Sequence, residues 1–257
     1  MQSTTATPFK GYDIYIVGMG IQPIRHLTNE VIGCLRASNR VFMADHGFGA
    51  AQKIAEQGVP VESLLPLYVE GRERLETYHE MAARVLTAAL DFGPVAFATY
   101  GHPCFYVYPT QIILAAAAAL GLRVYVAPGV SVLDTLMVEL NLDPGTAGLQ
   151  VYEASACVLE GRVIQPDVPL ILMQVEAVNV TTFSYSRQKA ERFSALQEHL
   201  LKYYPPKHEV VAVTSPTHPL MEPRIRRFPL SELPARYTED WESGTLYLPP
   251  AEAPART

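Results

Sequence analysis

Over its first half the chain alternates short, strongly apolar runs with amphipathic segments of helical period. That alternation admits few folds. Strands joined through helices run parallel, and a parallel sheet needs helices over both faces. Tyr12 to Val17 reads as a buried strand ending in the turn Gly18-Met19-Gly20. Further strands are expected at Arg40 to Ala44, Val61 to Leu65, Val95 to Thr99 and Leu122 to Ala127. Helices are expected from Thr28, a good N-cap, to Ala37, and over Gly49 to Gln57, Glu73 to Leu90 and Thr110 to Leu120. In the longest of these, Leu75, Tyr78, Met81, Ala82, Val85, Leu86 and Ala89 recur on one face.

After Pro128-Gly129 the texture changes. A helix is expected over Ser131 to Leu140, closed by the turn Asp143-Pro144-Gly145. Strand-like runs follow at Leu149 to Tyr152, Leu170 to Val175, Val210 to Thr214 and Thr245 to Leu248, with one helix over Ser186 to Tyr203. The spacing predicts two α/β domains, residues 12–128 and 129–249, the second with more antiparallel character, and flexible tails at 1–11 and 250–257.

Composition narrows the function classes. The chain has 257 residues, 49% of them hydrophobic and 18% charged, enough apolar material for packed cores. The net charge is −6, and no block of Lys and Arg forms a nucleic-acid track. Arg224, Arg226 and Arg227 read as a solvated stretch beside a strand. Cys34, Cys104 and Cys157 are too sparse and too widely spaced for a disulfide framework or a zinc site, so a reducing compartment is expected and no metal. The N-terminus has no apolar signal core, and Ile112 to Leu122 is too short to span a bilayer. A cytoplasmic location follows as an expectation.

Taken one at a time, the motifs are ambiguous. Gly18-Met19-Gly20 after a strand, with Asp45 ending the next, invites a dinucleotide reading. The third glycine of that pattern is replaced by Pro23, which removes a backbone donor, so a plain tight turn explains the segment as well. Tyr100-Gly101-His102-Pro103 stands at the carboxyl end of the most apolar strand, the edge where open α/β sheets bind ligands. His102 is either catalytic or a hydrogen-bonded loop residue. Pro128-Gly129-Val130-Ser131 is a second such turn, with Ser131 a candidate N-cap. Tyr68, Arg74 and Tyr78 form a third cluster; Arg74 and Tyr78 are four apart on one helix face, and a guanidinium beside a phenol favours the phenolate.

In order along the chain, IVGMG, RLETY-x-x-M, YGHP, APGVS, DPG-x-x-G, YEAS, LMQV and TLYLPP resemble the borosin α-N-methyltransferases, from about residue 12 to residue 249. These belong to the tetrapyrrole methylase superfamily, the class III methyltransferase fold. The resemblance implies two α/β domains with S-adenosylmethionine in the cleft between them, and methylation of peptide backbone amides. It assigns the cofactor loop to Tyr100, Gly101, His102 and Pro103, with Val107 nearby. Ser131 and Val132 would hold the amino-acid or ribose part, and Gln174 and Val175 the adenine side. Tyr68, Arg74 and Tyr78 match the set implicated in methyl transfer, and the Gly18 turn would shape the cleft mouth.

Two positions depart from the pattern. Cys104 follows His102-Pro103 where the family has glycine, and Glu176 follows Val175 where a small residue is usual. Glu176 either favours a nearby sulfonium or alters the peptide channel. The chain stops where fused relatives continue into their own substrate, so the resemblance implies a split member acting on a separate precursor peptide. It also implies a homodimer, to which Phe105 to Tyr108 could contribute contacts. The competing readings are a tetrapyrrole C-methyltransferase, against which the acidic balance and the RLETY segment argue, a catalytically idle binding partner, and a nicotinamide oxidoreductase.

Overall fold

The computed structural model describes residues 11–45, 47–184, 190–239 and 244–251. Most of both expected tails, and Ser186 to Lys189 at the head of one expected helix, lie outside the described residues. The chain forms two compact units. The first takes residues up to 135 and adds 216–221; the second takes 136–215 and the residues from 222 onward.

In the first unit, β1 (Ile14–Gly18), β2 (Arg40–Ala44), β3 (Val61–Ser63), β4 (Val95–Thr99) and β5 (Val124–Ala127) form one sheet in the order β3-β2-β4-β1-β5. Every pairing in it is parallel. The connections carry α1 (Pro23–His26), α2 (Asn29–Arg36), α3 (Ala50–Ala55), α4 (Arg74–Phe92) and α5 (Tyr108–Ala119). Side chains alternate across a strand, so β1 feeds two cores. Ile14 and Ile16 pack with Phe97 of β4, Met81 and Val85 of α4 and Ile113 of α5. Tyr15 and Val17 pack with Val31 and Leu35 of α2 and Ile54 of α3. The Thr28 hydroxyl accepts from the Val31 amide at 3.1 Å and starts α2, as its sequence predicts. The added segment is tied in by the Gln22 amide, which donates to the Pro216 carbonyl at 3.0 Å, and by Phe48 against His218, 4.1 Å between ring centroids.

The chain passes into the second unit within α6 (Val132–Glu139), followed by α7 (Pro144–Ala147) and α8 (Ala154–Leu159). There β6 (Gln150–Glu153), β7 (Leu170–Met173), β8 (Glu209–Thr214), β9 (Arg224–Pro229) and β10 (Thr245–Leu248) form a sheet in the order β6-β7-β10-β8-β9. Only β6 and β7 pair in parallel; the rest pair antiparallel, the character expected of this half. Its core joins Leu170 and Leu172 to Leu246 and to Phe193 and Leu196 of α9 (Glu191–Leu200), with Leu233 of α10 (Leu233–Glu239).

One expectation is corrected. Arg224, Arg226 and Arg227 do not lie beside a strand but in one, β9, which pairs with β8 from Glu209↔Pro229 to Thr214↔Arg224. Arg224 to Arg227 are all exposed at the sheet edge, so no apolar alternation marks the strand. Charge on an edge strand also discourages pairing with another chain.

Because the five strands of the first sheet are parallel, their carboxyl ends share one edge. The loops leaving that edge carry most of the residues singled out from the sequence.

Candidate functional site

Three of those loops meet through bare backbone. Gly20 and Gly101 exchange both amide hydrogen bonds, at 3.2 and 3.1 Å, as an isolated antiparallel bridge. A Cβ placed on Gly18 would stand 2.5 Å from the Gly101 carbonyl oxygen and 2.8 Å from the Gly129 nitrogen. One placed on Gly129 would stand 2.5 Å from that same oxygen and 2.6 Å from the Gly18 oxygen. Each position therefore needs glycine for close approach. The turns after β1, β4 and β5, ambiguous one at a time, are a single interlocked feature.

Around it, Tyr100 and His102 are half-buried and Pro103 is buried. The His102 Nδ1 accepts from the Cys104 amide at 3.1 Å, which in the neutral ring leaves the proton on Nε2. Above Gly101 there is room: an added Cβ would meet only the Ile21 Cδ1, at 3.5 Å. Val107 and Val132 are half-exposed at the heads of α5 and α6. Ser131 is buried and already engaged. Its amide and hydroxyl donate to the Asp134 Oδ2 at 2.6 and 2.9 Å, and its hydroxyl accepts from the Asp134 amide at 3.3 Å. This is a reciprocal cap on the first turn of α6.

The tyrosine cluster forms at the β3 end of the same edge. Tyr68 closes the 3-10 turn Leu65–Leu67 that follows β3, while Arg74 and Tyr78 stand on the first turns of α4. All three are half-buried. The rings of Tyr68 and Tyr78 lie edge-on, with centroids 6.5 Å apart. Burial pushes the Tyr68 phenol well above the ordinary value of 10.0, and Tyr78 adds to the rise, whereas Arg74 pulls it down. The sequence leaves open which of the two phenols beside Arg74 is phenolate-like; Tyr68 is not. Desolvation outweighs the guanidinium, and Tyr68 keeps its proton.

The sequence reading sets Tyr108 among possible dimer contacts and not with this cluster. Its ring stands 6.2 Å from that of Tyr78, tilted by 50°, and half of the residue is exposed. It occupies the first position of α5, just before Pro109. A large aromatic at such a helix start, beside a candidate loop, is the one signal that could have drawn notice.

Gln174 and Val175 belong to the second unit, after β7. Gln174 is exposed and left-handed, φ 54°, a strained setting for a residue with a side chain. Val175 is fully buried in that unit's core, so its own backbone is what it could offer a ligand. Glu176 is half-buried in the 3-10 turn Val175–Ala177. Cys34 and Cys157 are buried free thiols, and Cys104 is exposed. Among the described residues no group of His, Cys, Asp and Glu is arranged to hold a metal ion, and no helix is long and apolar enough to cross a membrane.

Comparison with known proteins adds to this geometry. A family profile described as Tetrapyrrole (Corrin/Porphyrin) Methylases matches residues 13–234. A methyltransferase/ribosomally synthesized type I borosin cyclic peptide precursor of Coprinopsis marcescibilis is 32% identical over 98% of this chain and 65% of its own length. The methyltransferase/omphalotin A precursor of Omphalotus olearius is 28% identical over 96% of this chain and 60% of its own. The chain thus spans less than two thirds of these relatives. Among solved structures, the uroporphyrin-III-C-methyltransferase of Thermus thermophilus superposes with a TM-score of 0.65 at 19% identity, over 92% of this chain and 91% of its own. A second structure of a Thermus thermophilus uroporphyrin-III C-methyltransferase, complexed with S-adenyl homocysteine, gives a TM-score of 0.59 at 18% identity, over 93% and 92%.

Proposed function

The chain belongs to the family of tetrapyrrole (corrin/porphyrin) methylases, and from that membership we propose an enzyme that moves a methyl group from S-adenosylmethionine onto backbone amide nitrogens of a peptide. The observation that carries the choice of substrate is the edge-on ring pair Tyr68 and Tyr78 at the head of α4, with Arg74 on the same helix. Relatives named as borosin precursors with their methyltransferase support it.

The residues around Gly101 suit the cofactor. They offer open space above Gly101 and the half-exposed apolar Val107 and Val132. Tyr100, Gly101, His102, Pro103, Val107, Ser131 and Val132 are assigned to it. Gln174 and Val175 are assigned to it by the family resemblance alone. When bound, S-adenosylmethionine supplies an already activated electrophilic methyl group, so no metal is needed.

The protein's task is the nucleophile. An amide nitrogen is a poor one because its lone pair is delocalised into the carbonyl. Tyr68, which holds its proton, donates a hydrogen bond toward the carbonyl oxygen side and favours the imidate-like form. Arg74 stabilises the negative charge that gathers there. Tyr78 orients the amide and, entering the step as the phenolate, accepts the amide proton to leave as the phenol, a contribution of roughly 10²–10⁴ in rate for such groups. Holding the nitrogen in line contributes several kcal/mol more.

The finer parts of the proposal are a separate precursor peptide, a homodimer and a cytoplasmic location. They rest on the resemblance. The deciding experiment supplies protein, S-adenosylmethionine and a precursor-type peptide in trans. Tandem mass spectrometry then looks for single methyl increments on backbone amides, with a uroporphyrinogen-type compound as the competing acceptor. Methylation of the tetrapyrrole and of no peptide would end the reading. Light scattering reads the dimer.

A further inference from the structure

We infer that Arg72 is a positioning residue that fixes Tyr68 against the head of α4 by gripping the carbonyl of Leu67. The inference rests on the peptide-methylating role proposed above. Arg72 reaches in two directions. Its Nη1 lies 3.4 Å from the Leu67 carbonyl oxygen, one residue before Tyr68, and 2.8 Å from the Glu80 Oε2 of α4. Its Nε lies 3.6 Å from the Glu76 Oε2, one turn earlier on the same helix. The Leu67 carbonyl has a second donor, the fully buried Thr77 hydroxyl of α4, also at 3.4 Å. Two donors thus converge on the peptide group that sets where Tyr68 emerges, and both are anchored to the helix that carries Arg74 and Tyr78.

The grip extends outward. Glu80 also accepts from the Arg84 Nη2 at 3.0 Å, Arg84 reaches the Glu62 Oε1 at 3.4 Å, and Glu62 reaches Arg40 at 3.6 Å. Arg72 ends a line of alternating charges that starts on β2 and β3. Single exposed ion pairs add little to stability. The effect here is on geometry: the turn bearing Tyr68 has short backbone hydrogen bonds of its own, Tyr68 to Leu65 at 3.0 Å and Arg72 to Val69 at 3.1 Å, and among the described residues Arg72 and Thr77 tie its Leu67 carbonyl to α4. Displacing a reacting group by a fraction of an ångström costs rate without costing affinity.

The test compares wild type with Arg72→Met, Arg72→Lys and Arg84→Met. The last breaks the same charge line but leaves the Leu67 carbonyl held. Without substrate, hydrogen–deuterium exchange of the segment from residue 64 to 73 is expected to quicken roughly fivefold in Arg72→Met, the scale of one lost hydrogen bond, and to stay unchanged in Arg84→Met. With peptide, kcat of Arg72→Met is expected to fall about tenfold, with peptide KM and S-adenosylmethionine affinity nearly constant and part of the rate restored by Arg72→Lys. Unchanged exchange in Arg72→Met, full kcat in that variant, or equal damage from Arg84→Met overturns the inference. A wild type that methylates no peptide defeats the proposed function instead, and the exchange arm still decides the clamp.

Discussion

Tyr68 meets Tyr78 at an interplanar angle of 83°, one ring from the turn after β3 and the other from α4. The two phenols come from different elements, stand in ring contact and serve one amide, so they act as one unit.

Removing either hydroxyl should therefore cost about as much as removing both. Tyr68→Phe, Tyr78→Phe and the double variant are expected to lose roughly 10²-fold in kcat each, far short of a multiplicative loss in the double. Arg74→Ala should lose turnover as well. Calorimetry should find cofactor affinity intact in all four. Full additivity in the double variant would show two independent roles.

Tyr108 extends the phenol pair toward solvent, half-exposed and 6.2 Å from Tyr78. Tyr108→Ala is expected to raise peptide KM about fivefold, the loss of one aromatic contact of roughly 1 kcal/mol, with kcat little changed. Tyr108→Phe should behave as wild type. Steady-state rates over a peptide series read this, and an unchanged KM in the alanine variant would assign the ring to packing.

Ser131 was carried to the cofactor by family resemblance, yet its hydroxyl is committed to Asp134. Ser131→Ala is expected to cost about 1 kcal/mol of stability, as loss of an N-cap does. Cofactor affinity should move less than a few-fold. A large loss of affinity with no loss of stability would give the hydroxyl to the cofactor instead of the cap.

The alkaline side should be the weak one. Burial raises Cys34 from 9.0 to about 12, Cys157 from 9.0 to about 11 and Tyr204 from 10.0 to about 12. A group whose folded value is raised holds its proton more tightly when folded. Its contribution is whole below the unfolded value and is lost as pH rises toward the folded one. Urea midpoints should be steady up to about pH 9 and fall between about 9 and 12. A midpoint that rises across that window would contradict the burial of these groups.

Much of the first unit was legible because its signals are local. Arg40–Ala44 and Val95–Thr99 match their expected bounds, and Thr28 caps α2. What periodicity could not show was of two kinds. Strand β9 is exposed along Arg224 to Arg227, so burial leaves no pattern to read. Tyr108 gains its meaning from Tyr78, thirty residues away on another helix. The charge state of Tyr68 was out of reach for a related reason: the spacing shows the guanidinium but not how deeply the phenol is buried. The three glycine turns were each visible, but their meeting is a property of the strand order β2-β4-β1-β5.

That meeting has an evolutionary consequence. Where Gly18, Gly101 and Gly129 touch there is no room for even a methyl at Gly18 or Gly129, so these turns cannot drift one at a time. Diversification is confined to the residues hanging from them, such as Cys104 and Val130. Descendants of such a scaffold can change what they recognise while the knot beneath stays frozen.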